Sequence, residues 1–82
     1  MSKNFIKKNI KLSLDFGKYI SGHPSAYKKI PKGAHVFFTV RGDEKFNRNS
    51  EELVKKTRGK GEKYIEARKE GTRWTLQSFI AR

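Results

Sequence analysis

The chain has 82 residues, no cysteine, 34% hydrophobic residues and ten aromatics (six Phe, three Tyr, one Trp). That length suffices for a single domain, 1–82, and not for two, while the absence of cysteine excludes a disulfide scaffold, thiolate-held zinc and a thiol nucleophile. Twenty Lys and Arg against eight Asp and Glu leave a net charge of +12, a self-repelling load that calls for an anionic partner, of which nucleic acid is the commonest inside a cell.

The N-terminus alternates Lys with apolar residues and forms no signal-peptide block. No stretch approaches the roughly 18 apolar residues a membrane span needs, so a cytoplasmic location is expected. The charge is uneven. Residues 1–33 hold eight Lys and one Asp, or +7, and more than half of the net value.

Residues 4–20 read as an amphipathic helix. At about 100° per residue, Phe5, Leu12, Phe16, Tyr19 and Ile20 share one side, and Ile6, Ile10 and Leu14 are expected to widen that apolar arc. Lys7, Lys11 and Lys18 fall on the opposite side, with Lys8 and Asp15 beside them. Gly22 is placed to stop the helix as a C′ residue. His23-Pro24 then opens a turn or a single helical turn, and Ile30-Pro31-Lys32-Gly33 is a connector.

Ala34–Val40 is β-branched and aromatic on both faces, as a covered strand should be. A second helix is expected over roughly 44–58, with Asp43 and Glu44 at its positive end and Lys55, Lys56 and Arg58 at its negative end. Its inward stripe is Phe46, Ser50, Leu53 and Thr57, and Gly59 ends it. Residues 62–69 and 72–80 read as a hairpin closing at Glu70-Gly71, with Lys69 opposite Thr72. One face then holds Ile65, Ala67, Trp74, Leu76 and Ile80, and the other holds Tyr64, Glu66, Arg68, Arg73, Thr75 and Gln77. The order α-β-α-β-β predicts an α/β (α+β) domain in two layers, a three-stranded mixed sheet packed by two helices.

Two surfaces are candidates for nucleic-acid binding. Lys7, Lys11 and Lys18 form a row that can follow a phosphate backbone. Arg68 and Arg73, directly opposed in the register above, would hold two guanidinium groups together for an anion, with Tyr64 beside them to stack on a base. The conventional phosphate site of an open α/β sheet, the N-terminus of the second helix, is already taken by Asp43 and Glu44. Arg58-Gly59-Lys60-Gly61 follows a helix instead of preceding one and reads as a cap, without Walker spacing.

Nothing assembles a catalytic set. His23 reads as a cap at the helical turn and His35 as a strand residue near the sheet edge, and two distant histidines do not make a metal site. No cofactor, metal or catalytic residue is expected.

Asn9-Ile10-Lys11-Leu12-Ser13, Phe16, Tyr19, His23-Pro24 and Ile30-Pro31-Lys32-Gly33-Ala34-His35-Val36 together resemble a family of small, uncharacterised prokaryotic proteins. The resemblance spans residues 4–58 and implies helix, His-Pro turn, Ile-Pro connector, strand and helix, with no activity attached. The sequence therefore points to a domain that binds RNA or DNA through phosphates with little sequence preference. A small ribonuclease of the toxin type, using Arg68, Arg73 or His35, and a subunit that meets an acidic protein are the alternatives.

Overall fold

The structure is a computed structural model that describes residues 3–57 and 63–79. Six elements follow in order: α1 (Lys3–Gly22), α2 (Pro24–Tyr27), β1 (His35–Val40), α3 (Glu44–Thr57), β2 (Tyr64–Glu70) and β3 (Arg73–Phe79). The sheet runs β1-β2-β3, with β1 parallel to β2 and β2 antiparallel to β3. This is the expected mixed three-stranded α+β arrangement, with the His23-Pro24 turn realised as the one-turn helix α2.

α1 covers one face of the sheet. Phe5, Leu12 and Phe16 are buried there against Phe38 and Ala67, with Tyr19, Ile20, Val36, Val40, Trp74 and Leu76 around them. Phe16 meets Phe38 and Trp74 edge-on at ring-centre distances of 5.6 and 5.1 Å, a geometry that adds to simple area burial. Ala67, in the central strand, lies opposite both Phe38 and Leu76 and is completely buried.

α3 lies beside the free edge of β1. Arg41 N–H bonds to Lys69 C=O and His35 N–H to Lys63 C=O, so the alternate residues Val36, Phe38 and Val40 turn their backbone groups away from β2. Asn47 takes both groups of Val40: its Oδ1 accepts from Val40 N–H (2.6 Å) and its Nδ2 donates to Val40 C=O (2.8 Å). A side-chain amide thus takes up the C-terminal end of an edge that would otherwise invite another strand. Phe46 and Leu53 of the same helix join the core under α1, and Val54 joins Phe37, Tyr64 and Phe79 on the other face.

Three expectations are corrected. Ile6, Ile10 and Leu14 do not widen the core; they are 49%, 54% and 64% exposed, because a sheet of three strands is too narrow to cover so wide an arc. Gly22 is the last residue of α1 and adopts no positive φ; the helix ends instead at His23, whose Nδ1 donates to Tyr19 C=O (2.7 Å) while its ring stacks on that of Tyr19. The cap predicted at His23 is present, but it closes α1 and makes no side-chain bond to α2.

The hairpin register is the third. Glu70 pairs with Arg73, Lys69 with Trp74 and Arg68 with Thr75, two residues away from the expected pairing. Gly71 (φ +64°) takes the first loop position and no other residue of the turn has positive φ. A two-residue hairpin loop of that kind needs glycine first, whereas the expected loop would have put Glu70 there. A slip of two preserves every side chain's face. The side chain of Thr57, residue Ile80 and the loop Arg58-Gly59-Lys60-Gly61 lie outside the described residues.

Candidate nucleic-acid interface

α1 is fastened along one flank by two ion pairs. Lys8 binds Asp43 in the β1–α3 connection and lies over the Phe46 ring. Asp15 accepts from Lys69 at 3.0 Å, and the Lys69 ammonium also stands 5.7 Å from the Trp74 ring centre. The hydrogen bond from Lys69 holds the Asp15 carboxyl below the usual aspartate range, opposed by desolvation and aided by the charges of Lys69, Lys11 and Lys18. Asp43 is lowered by its bond from Lys8 and then by the Phe46 N–H, against slight desolvation.

Lys7, Lys11 and Lys18 are exposed on α1, on the side turned away from the sheet. Their neighbours in that row are Asn4 and Gly22, and the nearest acid, Asp15, is already bound to Lys69. Between α1 and the C-terminal ends of β1 and β2 a cavity of about 340 Å³ opens, lined by Lys8, Lys11, Leu12, Asp15, Val40 and Lys69. It occupies the crevice where open α/β sheets hold ligands. Two of its three lysines are consumed by Asp43 and Asp15, which leaves Lys11 as the cation facing both this crevice and the outer row. Asp43 also caps α3, accepting Phe46 N–H at 3.1 Å, so the helix N-terminus is filled by the chain's own carboxylate, as its sequence position implies.

The second set of candidates is on the opposite face of the sheet. Tyr64, Arg68 and Arg73 point away from α1, because Ala67 and Trp74, which occupy the alternate positions of these strands, pack in the core beneath it. The arginines are not opposed: Arg73 stands across from Glu70, and Arg68 Nε lies 3.9 Å from Glu66 Oε2. The anion-seeking guanidinium pair read from the sequence is therefore dispersed. Tyr64 is buried between Phe37, Val54 and Phe79 and stacks on His35 at 5.2 Å. It presents little ring surface to a base.

Two residues outside the sequence-derived sets shape these surfaces. Lys69 stands at a core-facing position of β2, and a lysine at such a position signals that a carboxylate must reach it. Glu66, which the sequence places on the polar face of the hairpin, is buried in the central strand. It accepts from Thr39 Oγ1 (2.6 Å) on β1 and from Gln77 Nε2 (3.1 Å) on β3, so one carboxylate ties all three strands. Among the described residues no three His, Asp or Glu side chains gather to hold a metal ion, and no helix is long and apolar enough to cross a membrane.

Fold and surface define a small α+β domain with one lysine-bearing helix face and a polar-tied outer sheet face. The chain belongs to the family of unknown function DUF5647, whose pattern matches residues 4–82. The match runs beyond the 4–58 stretch that carries the resemblance in the sequence and takes in the hairpin. No curated protein and no solved structure matches the chain.

Proposed function

We propose that this protein is a small, cytoplasmic domain that binds RNA or DNA through phosphates, with Lys7, Lys11 and Lys18 of α1 as the primary contact. The observation that carries the reading is the exposure of this lysine row on a chain of net charge +12, with the acid beside it on α1, Asp15, bound to Lys69. At about 1.5 Å of rise per residue the four-residue and seven-residue steps space the ammonium groups by roughly 6 and 10.5 Å along the helix, so the three reach different phosphates. Arg68 and Arg73 lie on the other side of the sheet and act as a separate, secondary contact. Tyr64 contributes structure to that face, since its ring is packed inside it.

Backbone contacts of this kind carry no sequence code. Affinity for mixed oligonucleotides is expected to fall steeply with salt, by about 0.9 in log–log slope for each phosphate neutralised on duplex DNA. Changing Lys7, Lys11 and Lys18 together to Gln should flatten that slope by about 2.7, three times 0.9, whereas Arg68→Gln with Arg73→Gln should flatten it less. Fluorescence anisotropy over a salt series reads both. No binding at about 50 mM salt, or an affinity indifferent to salt, overturns the proposal. RNA recovered intact from the same incubations argues against the ribonuclease alternative.

A further inference from the structure

α1 has an apolar ridge that the fold does not use. Ile6, Ile10 and Leu14 recur every four residues and are each about half exposed or more, on the outward side of a helix whose inward side already supplies Phe5, Leu12 and Phe16 to the core. The lysine row Lys7, Lys11 and Lys18 runs along one flank of this ridge. Ser13, Gly17 and Ser21 run along the other and continue it towards the C-terminal end.

Gly17 is unexplained by the domain itself. It sits inside a 20-residue helix, where glycine is unfavourable relative to alanine. Among the described residues a Cβ placed on it would meet nothing within 4 Å, so no contact there requires its smallness. A smooth strip beside an aliphatic ridge lets a second helix approach closely, with its own apolar residues seated between Ile10, Leu14 and Gly17.

We infer that this face of α1 docks an amphipathic helix from an acidic partner protein, its apolar side on the Ile6–Ile10–Leu14 ridge and its carboxylates against Lys7, Lys11 and Lys18. Charge decides the occupant. A second copy would bring another +12, and antiparallel pairing through this ridge would set lysine row against lysine row. A lipid surface would gain from lysines on both flanks and has no use for a small-residue strip, since acyl chains conform to any relief. The partner helix covers the same lysines that the phosphate-binding reading uses, so the two ligands compete, but the exposed ridge and its glycine are independent of that reading.

The test is a titration with a labelled synthetic helical peptide that has Leu at i, i+3, i+4 and i+7 and Glu elsewhere on its flanks. Two control peptides replace the Leu residues by Ser, or the Glu residues by Lys. The intact chain should bind the first and neither control. The variant Ile6→Ser, Ile10→Ser, Leu14→Ser keeps every charge and should weaken peptide binding about tenfold or more while leaving oligonucleotide affinity unchanged. Gly17→Leu should keep or raise Tm and weaken the peptide alone. If circular dichroism shows the triple variant unfolded, Leu14→Ser and Gly17→Leu carry the comparison.

Equal binding of the Ser control peptide would reduce the site to charge alone and overturn the inference, as would no binding to the acidic peptide. Two further results overturn it. One is binding to anionic phospholipid vesicles, without peptide binding, that the triple variant loses. The other is self-association in sedimentation, lost in the same variant. Loss of oligonucleotide binding in the lysine variants but not in the serine variant separates failure of this inference from failure of the phosphate reading.

Discussion

At the scale of single residues, the buried carboxylate of Glu66 is the most consequential feature of the sheet. A carboxylate taken out of water must recover its hydrogen bonds or become a liability. Glu66 recovers them from Thr39 and Gln77, one on each neighbouring strand. Thr39→Val keeps the shape at a position only 1% exposed but leaves Oε2 with the guanidinium of Arg68 at 3.9 Å as its remaining partner. Loss of a hydrogen bond to a charged group should lower unfolding free energy by about 1.5–3 kcal/mol in urea titration. Thr39→Ser should restore most of it. Adding Glu66→Met to Thr39→Val should recover part of the loss, since removing both polar partners is milder than stranding one. A double variant weaker than the sum of the two singles would sink this account. The alternation of β2 revealed which face Glu66 occupies, but its burial depended on Thr39 and Gln77 being brought alongside by strand register, which no local pattern encodes. Arg68 and Arg73 show the same limit: their shared face was legible, and their pairing was not, because Gly71 takes the first loop position, which moves the turn by one residue and the strand pairing by two.

At the scale of elements, the helices and strands follow closely from periodicity, and the seating of α1 does not. Its inward residues Phe5, Leu12 and Phe16 could be read from spacing, whereas the exposure of Ile6, Ile10 and Leu14 depends on how much sheet lies beneath the helix. Beside the buried Phe5, Leu12 and Phe16, two ties on one flank, Lys8–Asp43 and Lys69–Asp15, tether it to the rest of the domain. Both aspartates have folded pKa values below their unfolded ones. In the range between those values the unfolded chain binds more protons than the folded one, so stability rises with pH there. The contribution is complete above the unfolded aspartate value of about 4 and fades as pH falls through the depressed folded values. Tm should therefore be level with respect to these two groups from neutral pH to about 5, and drop below about 4. Asp43→Asn should lower Tm at pH 7 and shallow the acid-side drop, and Lys69→Met should do the same through Asp15. Thermal melts from pH 7 to pH 3 read both; an unchanged acid limb in either variant means that the tie does not hold the helix.

At the scale of the whole molecule, charge works against the fold that these contacts build. Twenty basic residues face eight acids, and three of the acids, Asp15, Asp43 and Glu66, are already engaged. Added salt weakens the exposed attractions at Asp15 and Asp43 and also screens the far more numerous repulsions, and with this imbalance the second effect should win. Raising NaCl from about 10 to 150 mM, which shortens the Debye length from about 30 to 8 Å, should thus increase Tm. In a domain this small each kcal/mol gained corresponds to about 4–8 °C. Replacing Lys7, Lys11 and Lys18 by Gln should raise Tm at low salt and reduce its dependence on salt, which marks the row as a place where binding is favoured over stability. An oligonucleotide present at about 100 times its Kd should stabilise the intact chain by about 2.7 kcal/mol through mass action, and that gain should shrink in the lysine variant. If Tm instead falls with salt, attraction dominates the charge distribution, and the lysine row is neutralised from within the chain.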